Sequence, residues 1–161
     1  MARPERNFIE QMKRNLPKQG YKLALQRIEN TASVGTPDIN FCIEGVESWA
    51  EAKAWERVRF TGRFTIPKLR EEQAIWLYNR ASLGSRAYLL CRVNKDVVLI
   101  DGRLVPSLFD KTLHLEWADA KKIATAWLPH PVNWKELVQA LHAPPAEDVS
   151  KSLELFKPRK S

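Results

Sequence analysis

Cysteine and histidine are scarce in this sequence, and it contains no long apolar run. Its two cysteines, Cys42 and Cys91, stand far apart, each inside an apolar stretch that reads as a strand. That pattern suits buried reduced thiols better than a redox pair. The three histidines, His114, His130 and His142, have no zinc-like spacing with the cysteines or with one another, which argues against zinc chemistry. His114 and His142 read as surface or rim positions. No segment approaches the roughly 18 apolar residues of a membrane span. The first seven residues run straight into a charged helical pattern without an apolar signal segment, so the expected address is cytoplasmic. No internal repeat is visible.

What the sequence does have is positive charge and aromatic bulk. With 161 residues, 44% apolar content and six tryptophans, it is expected to bury a core without disulfides or structural metals. We expect one folded domain over residues 1–142, made of a core over about 5–101 and a helical extension over about 102–142. Residues 143–161 read as a basic, proline-containing tail, loosely held or disordered in isolation. The net charge of +7 and the pI of about 9.6 favour a polyanionic partner, because Lys and Arg that neutralise phosphates release condensed counterions. Position must supply what the total cannot.

The spacing predicts an amphipathic helix over 5–16 with Phe8, Ile9, Met12 and Leu16 on one stripe, Pro4 suiting its start and Pro17 ending it. A strand over 21–28 follows, broken by the polar stretch 29–35. Strands over 38–43 and 46–54 are joined through Glu44-Gly45, a tight hairpin signal. A loop over 55–67 precedes a helix over 68–83, stopped by Gly84. Strands over 86–93 and 97–100 come next, then a short helical piece at 106–109 and helices over 117–128 and 133–141. The predicted order through the core is α, β, β, β, α, β, β.

Chemistry concentrates on the hairpin. Gly35-Thr36-Pro37-Asp38 enters the second strand, and Glu51-Ala52-Lys53 lies in the third. Side chains alternate along a strand, so Glu51 and Lys53 share one face, while Ala50, Ala52 and Ala54 share the other and let a helix pack closely. If Asp38 points the same way, its carboxylate meets that of Glu51 around a hard divalent cation such as Mg²⁺, with the Ala52 carbonyl as a further oxygen ligand. Lys53 would then stand beside the cation, placed to orient or help deprotonate an attacking water and to offset transition-state charge in phosphodiester hydrolysis. The plainer alternative makes Glu51 and Lys53 the exposed polar face of an edge strand and Asp38 a turn cap. Taken singly, each residue favours that alternative. The conjunction of turn, hairpin and E-x-K at matching height favours the site.

Pro37-Asp38 with Glu51-Ala52-Lys53 resembles the two motif halves of the PD-(D/E)XK nuclease superfamily. More closely, residues 5–93 are similar to stand-alone VRR-NUC and Holliday-junction-resolvase-like nucleases of phages, including Arg27-Ile28-Glu29-Asn30 before the turn and Gln73 in the following helix. The resemblance implies a restriction-endonuclease-like α/β fold, a mixed central sheet flanked by helices, here with additional C-terminal helices. It implies a Mg²⁺-dependent endonuclease, with Mn²⁺ substituting and no organic cofactor, acting on DNA that is branched. Flap or nicking repair, restriction-type cutting, and a DNA-binding module that does not cleave are the alternatives. The resemblance also implies a metal-site glutamate in the first helix, Glu5 or its competitor Glu10, with Glu5 favoured. Gln73 is implied to face the site and fix the water at the metal or the lysine; otherwise it is a surface glutamine at the edge of the helix stripe. A phage-encoded protein of this kind would work in the host cytoplasm.

Arg57, Arg59, Arg63, Lys68 and Arg70 crowd the segment that leaves the E-x-K strand, beside Trp55, Phe60 and Phe64. The cations are placed for phosphate contact near the scissile bond. The aromatics either stack on exposed bases or pack on the protein body. Lys13, Arg14, Lys18 and Lys22 either extend this footprint or form a solvated helix face, the second being the usual role of such a charge run. Trp117, Trp127, Trp134, Leu137, Val138 and Leu141 give the C-terminal helices apolar faces for the sheet or for a second subunit. A homodimer would suit paired nicks at a junction.

Overall fold

The computed structural model describes residues 3–29 and 34–160. Asn30 of the segment named above, with the rest of 30–33, lies outside the described residues. Among those described, no helix is long and apolar enough to cross a membrane.

The expected alternation of elements is present. Helix α1 (Arg3–Asn15) buries Phe8, Ile9 and Met12, and a 3-10 turn over Leu16–Lys18, containing Pro17, closes it. Strands β1 (Leu23–Arg27), β2 (Ile39–Ile43) and β3 (Val46–Trp55) pair antiparallel in sequence. Glu44 and Gly45 both take positive φ, 50° and 80°, as a two-residue hairpin turn requires. Helix α2 (Glu71–Ser82) then carries the chain over the sheet, so β4 (Arg86–Val93) lies parallel to β3. Strand β5 (Asp96–Asp101) returns antiparallel. The remaining elements are α3 (Val105–Phe109), β6 (Leu113–His114), α4 (Trp117–Ile123), β7 (Ala126–Leu128), α5 (Trp134–His142), α6 (Ser150–Leu153) and β8 (Lys157–Pro158). The main sheet is mixed and six-stranded, in the order β1-β2-β3-β4-β5-β7.

Each face of this sheet has its own apolar layer. Ala50, Ala52 and Ala54 pack with Phe8, Ile9 and Met12 of α1 and with Leu137, Val138 and Leu141 of α5. The small side chains on β3 therefore do what their spacing implied. Leu89, Cys91, Val98 and Ile100 point the opposite way, under α2, α3 and α4. Strand β3 is central and covered on both sides, not at an edge.

Three expectations fail in part. The helix expected over 68–83 begins at Glu71: Lys68 stands at φ 59°, Arg70 is extended, and the Arg70 N–H donates to Gln73 Oε1 at 3.0 Å, so the first turn is capped after Arg70. The helix expected over 117–128 ends at Ile123, because Thr125 N–H donates to the Leu99 carbonyl at 2.8 Å and 126–128 pairs with β5. Helical periodicity cannot register that a strand edge lies open beside it. The tail over 143–161 is docked through 160. Strand β8 pairs with β6, Phe156 is buried, and Arg103, forked onto Asp101 at 3.0 and 2.8 Å, donates to the carbonyls of Ala146 and Glu147.

Candidate active site

The hairpin register brings the two carboxylates together. The β2–β3 ladder ends at Ile39 opposite Ala50, and one further step sets Asp38 opposite Glu51. Directly opposed residues of an antiparallel pair share a face, with Cβ atoms about 5 Å apart. Where the ladder stops, the Asp38 side chain takes over: its Oδ2 accepts from Ala52 N–H at 3.1 Å, and Asp38 and Glu51 are hydrogen-bonded side chain to side chain. Gly35 sets the approach to this corner. It sits at φ +85°, and a Cβ there would run into the backbone carbonyl of Glu72 in α2. Glycine is needed on both counts.

Glu51 and Lys53 lie on the α2 side of β3, level with Leu89 and Cys91 of β4. Their exposures are 2% and 6%. The exposed-decoration reading of this pair is therefore wrong, since charged side chains are rarely sunk into a central strand without a task. Lys53 Nζ donates to the Lys68 carbonyl at 3.0 Å and stands 3.7 Å from Glu51 Oε2. Burial, followed by the hydrogen bond and charge of Asp38, pushes the Glu51 carboxyl up to about 9, against the opposing pull of Lys53 and Arg70. Glu51 Oε1 is buried with no hydrogen-bond partner among the described residues. Burial also pushes the Cys91 thiol up, which suits the inert thiol expected there.

The remaining sequence-derived residues divide. Glu5 turns inward and is buried, with Oε2 unpartnered among the described residues, whereas Glu10 is exposed and pairs with Lys13 at 3.3 Å. Among the described residues no three His, Cys, Asp or Glu side chains gather closely enough to hold a metal ion, so Glu5 does not complete a cluster with Asp38 and Glu51. Gln73 is buried in the first turn of α2, not at a surface edge, and its carbonyl oxygen is engaged by the Arg70 N–H. Arg70 bears on the site through its charge on Glu51, a role that spacing did not suggest. The Lys68 carbonyl, which holds Lys53, was equally invisible, because backbone acceptors leave no mark on residue type.

Arg57, Arg59, Lys68 and Arg70 are exposed and Arg63 half-buried. The aromatics beside them contact the protein body, with Phe60 keeping 43% of its surface exposed. Phe64 is buried, with its ring 4.5 Å from that of Trp117, and Phe60 lies 5.2 Å from Trp117 and 6.0 Å from Trp127. Backbone bonds from Phe64 N–H to Leu115 O (2.6 Å) and from Trp117 N–H to Gly62 O (2.9 Å) pin the loop to the C-terminal layer.

No protein-family model matches this chain, and no curated protein matches its sequence. Among solved structures it is similar to Hjc, a Holliday junction resolvase from the archaeal hyperthermophile Archaeoglobus fulgidus. The TM-score is 0.43 and the identity 16%, over 62% of this chain and 74% of that one. The chemistry of the site rests on its own residues. Asp38 and Glu51 offer hard oxygen donors, and the unpartnered buried Oε1 fits a divalent cation better than an apolar corner.

Proposed function

We propose that the protein is a metal-dependent endonuclease that hydrolyses DNA phosphodiesters. The observation that carries this reading is the conjunction of half-buried Asp38, just before β2, with the facing carboxyl of Glu51 and the ammonium of Lys53, both buried on central strand β3. Asp38 and Glu51, with the Ala52 carbonyl, would hold Mg²⁺ or Mn²⁺, which supplies charge neutralisation at the phosphoryl oxygen and a more acidic water. Glu51 must lose its proton to serve as a ligand, so binding at this pair releases one proton per cation near neutral pH. Lys53 is fixed by the Lys68 carbonyl, which leaves its remaining N–H donors to orient the attacking water and to meet charge on the phosphorane. Gln73 positions this corner through the start of α2. The exposed cations Arg57, Arg59, Lys68 and Arg70 take the backbone phosphates on either side of the scissile bond.

Branched DNA is the substrate we favour, and a homodimer, with two sites in fixed relation, is the working form for paired nicks. The deciding experiment incubates the protein with Mg²⁺ and a panel of four-way junction, flap, nicked, duplex and single-stranded DNA. Cleavage concentrated on the junction supports the full reading. Cleavage of duplex or flap keeps the hydrolase and moves the substrate, whereas no cleavage of any member removes the hydrolase. Light scattering with and without junction DNA tests the dimer, and a monomer mass in both samples excludes it.

A further inference from the structure

The C-terminal segment does more than close the fold. Phe156 anchors it, β8 pairs with β6 through Leu113↔Pro158 and His114↔Lys157, and Arg159 N–H donates to the Thr112 carbonyl at 2.7 Å. This pairing lays Lys157, Arg159 and Lys160 beside Arg63, which comes from the loop leaving the E-x-K strand. Together with His114 and Glu116 they line an open cavity of about 480 Å³. Four cations face one carboxylate there, and that carboxylate is taken by His114 Nε2 at 2.7 Å. Among the described residues none of the four cations has an ion-pair partner, and Lys157 spends one donor on the Glu154 carbonyl. Like charges gathered without counterions repel one another, so the arrangement favours an anionic occupant.

We propose that this groove is a second nucleic-acid contact, in which the docked tail and Arg63 grip the phosphate backbone of a DNA strand that runs past the catalytic hairpin. The proposal rests on the reading of DNA as substrate and adds where the strand continues. Two features favour a polynucleotide over a free phosphate compound. The cations come from two chain segments that both pair with the 112–117 segment, the loop at Glu116 and the tail at Leu113 and His114, and Arg63 ties the groove to the exposed Arg57–Arg70 series, so phosphates at successive positions meet successive charges.

The test measures DNA binding by fluorescence anisotropy across a salt series, in EDTA and on an Asp38→Asn background, so that cutting plays no part. A Lys157→Gln, Arg159→Gln, Lys160→Gln triple variant is compared with an Arg14→Gln, Lys18→Gln, Lys22→Gln control that loses equal charge from exposed positions elsewhere. Unchanged circular dichroism and melting temperature establish that each is folded; a Lys160→Glu single variant serves if the triple is not. The expected result is a loss of about two to three units from the slope of log K against log salt, and at least about a tenfold loss of affinity at low salt, in the tail variant alone. Equal slopes in parent and tail variant, or an equal loss in the control, overturn the groove. Tight binding of inorganic tripolyphosphate that disappears in the tail variant while DNA binding persists also overturns it, in favour of a small phosphate ligand. A protein that binds DNA through this groove yet cuts no member of the panel loses the hydrolase reading and keeps the groove. Cleavage by a tail variant with undiminished DNA affinity does the reverse.

Discussion

Replacing Glu51 by Gln should stabilise the metal-free protein, and should do so more strongly as the pH rises. The folded carboxyl is held at about 9 against an ordinary value of 4.5, so between those limits the folded protein keeps a proton that the unfolded chain has released. Stability therefore falls with rising pH across that window, by about 1.4 kcal/mol per unit from this group acting alone. Between about pH 5 and about pH 8 the loss is on the order of 4 kcal/mol, a large share of the roughly 5–15 kcal/mol that holds a domain together. The amide of the Glu51→Gln variant would mimic the neutral carboxyl without a titrating proton, removing that slope while leaving the contributions of carboxylates away from the Asp38–Glu51 pair unchanged. Urea unfolding followed by tryptophan fluorescence in EDTA, on parent and variant at each pH, isolates the difference. A cation at the pair replaces the proton, so Mg²⁺ should restore stability to the parent at high pH and have little effect on the variant. Parallel pH profiles for the two proteins would refute the reasoning, as would a parent whose stability relative to the variant rises over the same window.

Lys53→Ala should lower cleavage by about 10²- to 10³-fold while DNA binding stays within a few-fold, since the lost group meets charge that develops in the transition state; comparable single-turnover rates would remove Lys53 from the mechanism. Gly35→Ala should cost at least about 2 kcal/mol, because the left-handed backbone and the clash with the Glu72 carbonyl add together, and an unchanged urea midpoint would contradict this. Phe64→Ala empties a buried contact with Trp117, costing about 3 kcal/mol. The same change should open the basic loop to limited proteolysis between residues 56 and 67, and an unaltered digestion pattern would show that the aromatic contact does not hold the loop.

Periodicity and turn chemistry make the hairpin legible in the sequence. Glu44-Gly45 dictates a two-residue turn, the turn sets the register, and the register places Asp38 level with Glu51 and puts Lys53 on the same face. The alternating alanines, likewise, identified the side that α1 covers. These are local consequences of residue type and spacing, readable along a single segment. The depth of Glu51 and Lys53 was not readable in this way, because it depends on β4 lying parallel beyond β3 and on α2 closing over both. Nor were the Lys68 carbonyl that holds Lys53, the short α4 giving way to β7, or the tail strand that meets Arg63. Each joins segments far apart in the chain through backbone hydrogen bonds, to which every residue but proline contributes a donor and an acceptor alike. The sequence by itself determined that the hairpin presents Asp38, Glu51 and Lys53 together on one face; burial and long-range pairing decided how deep Glu51 and Lys53 lie and how strongly Glu51 holds its proton.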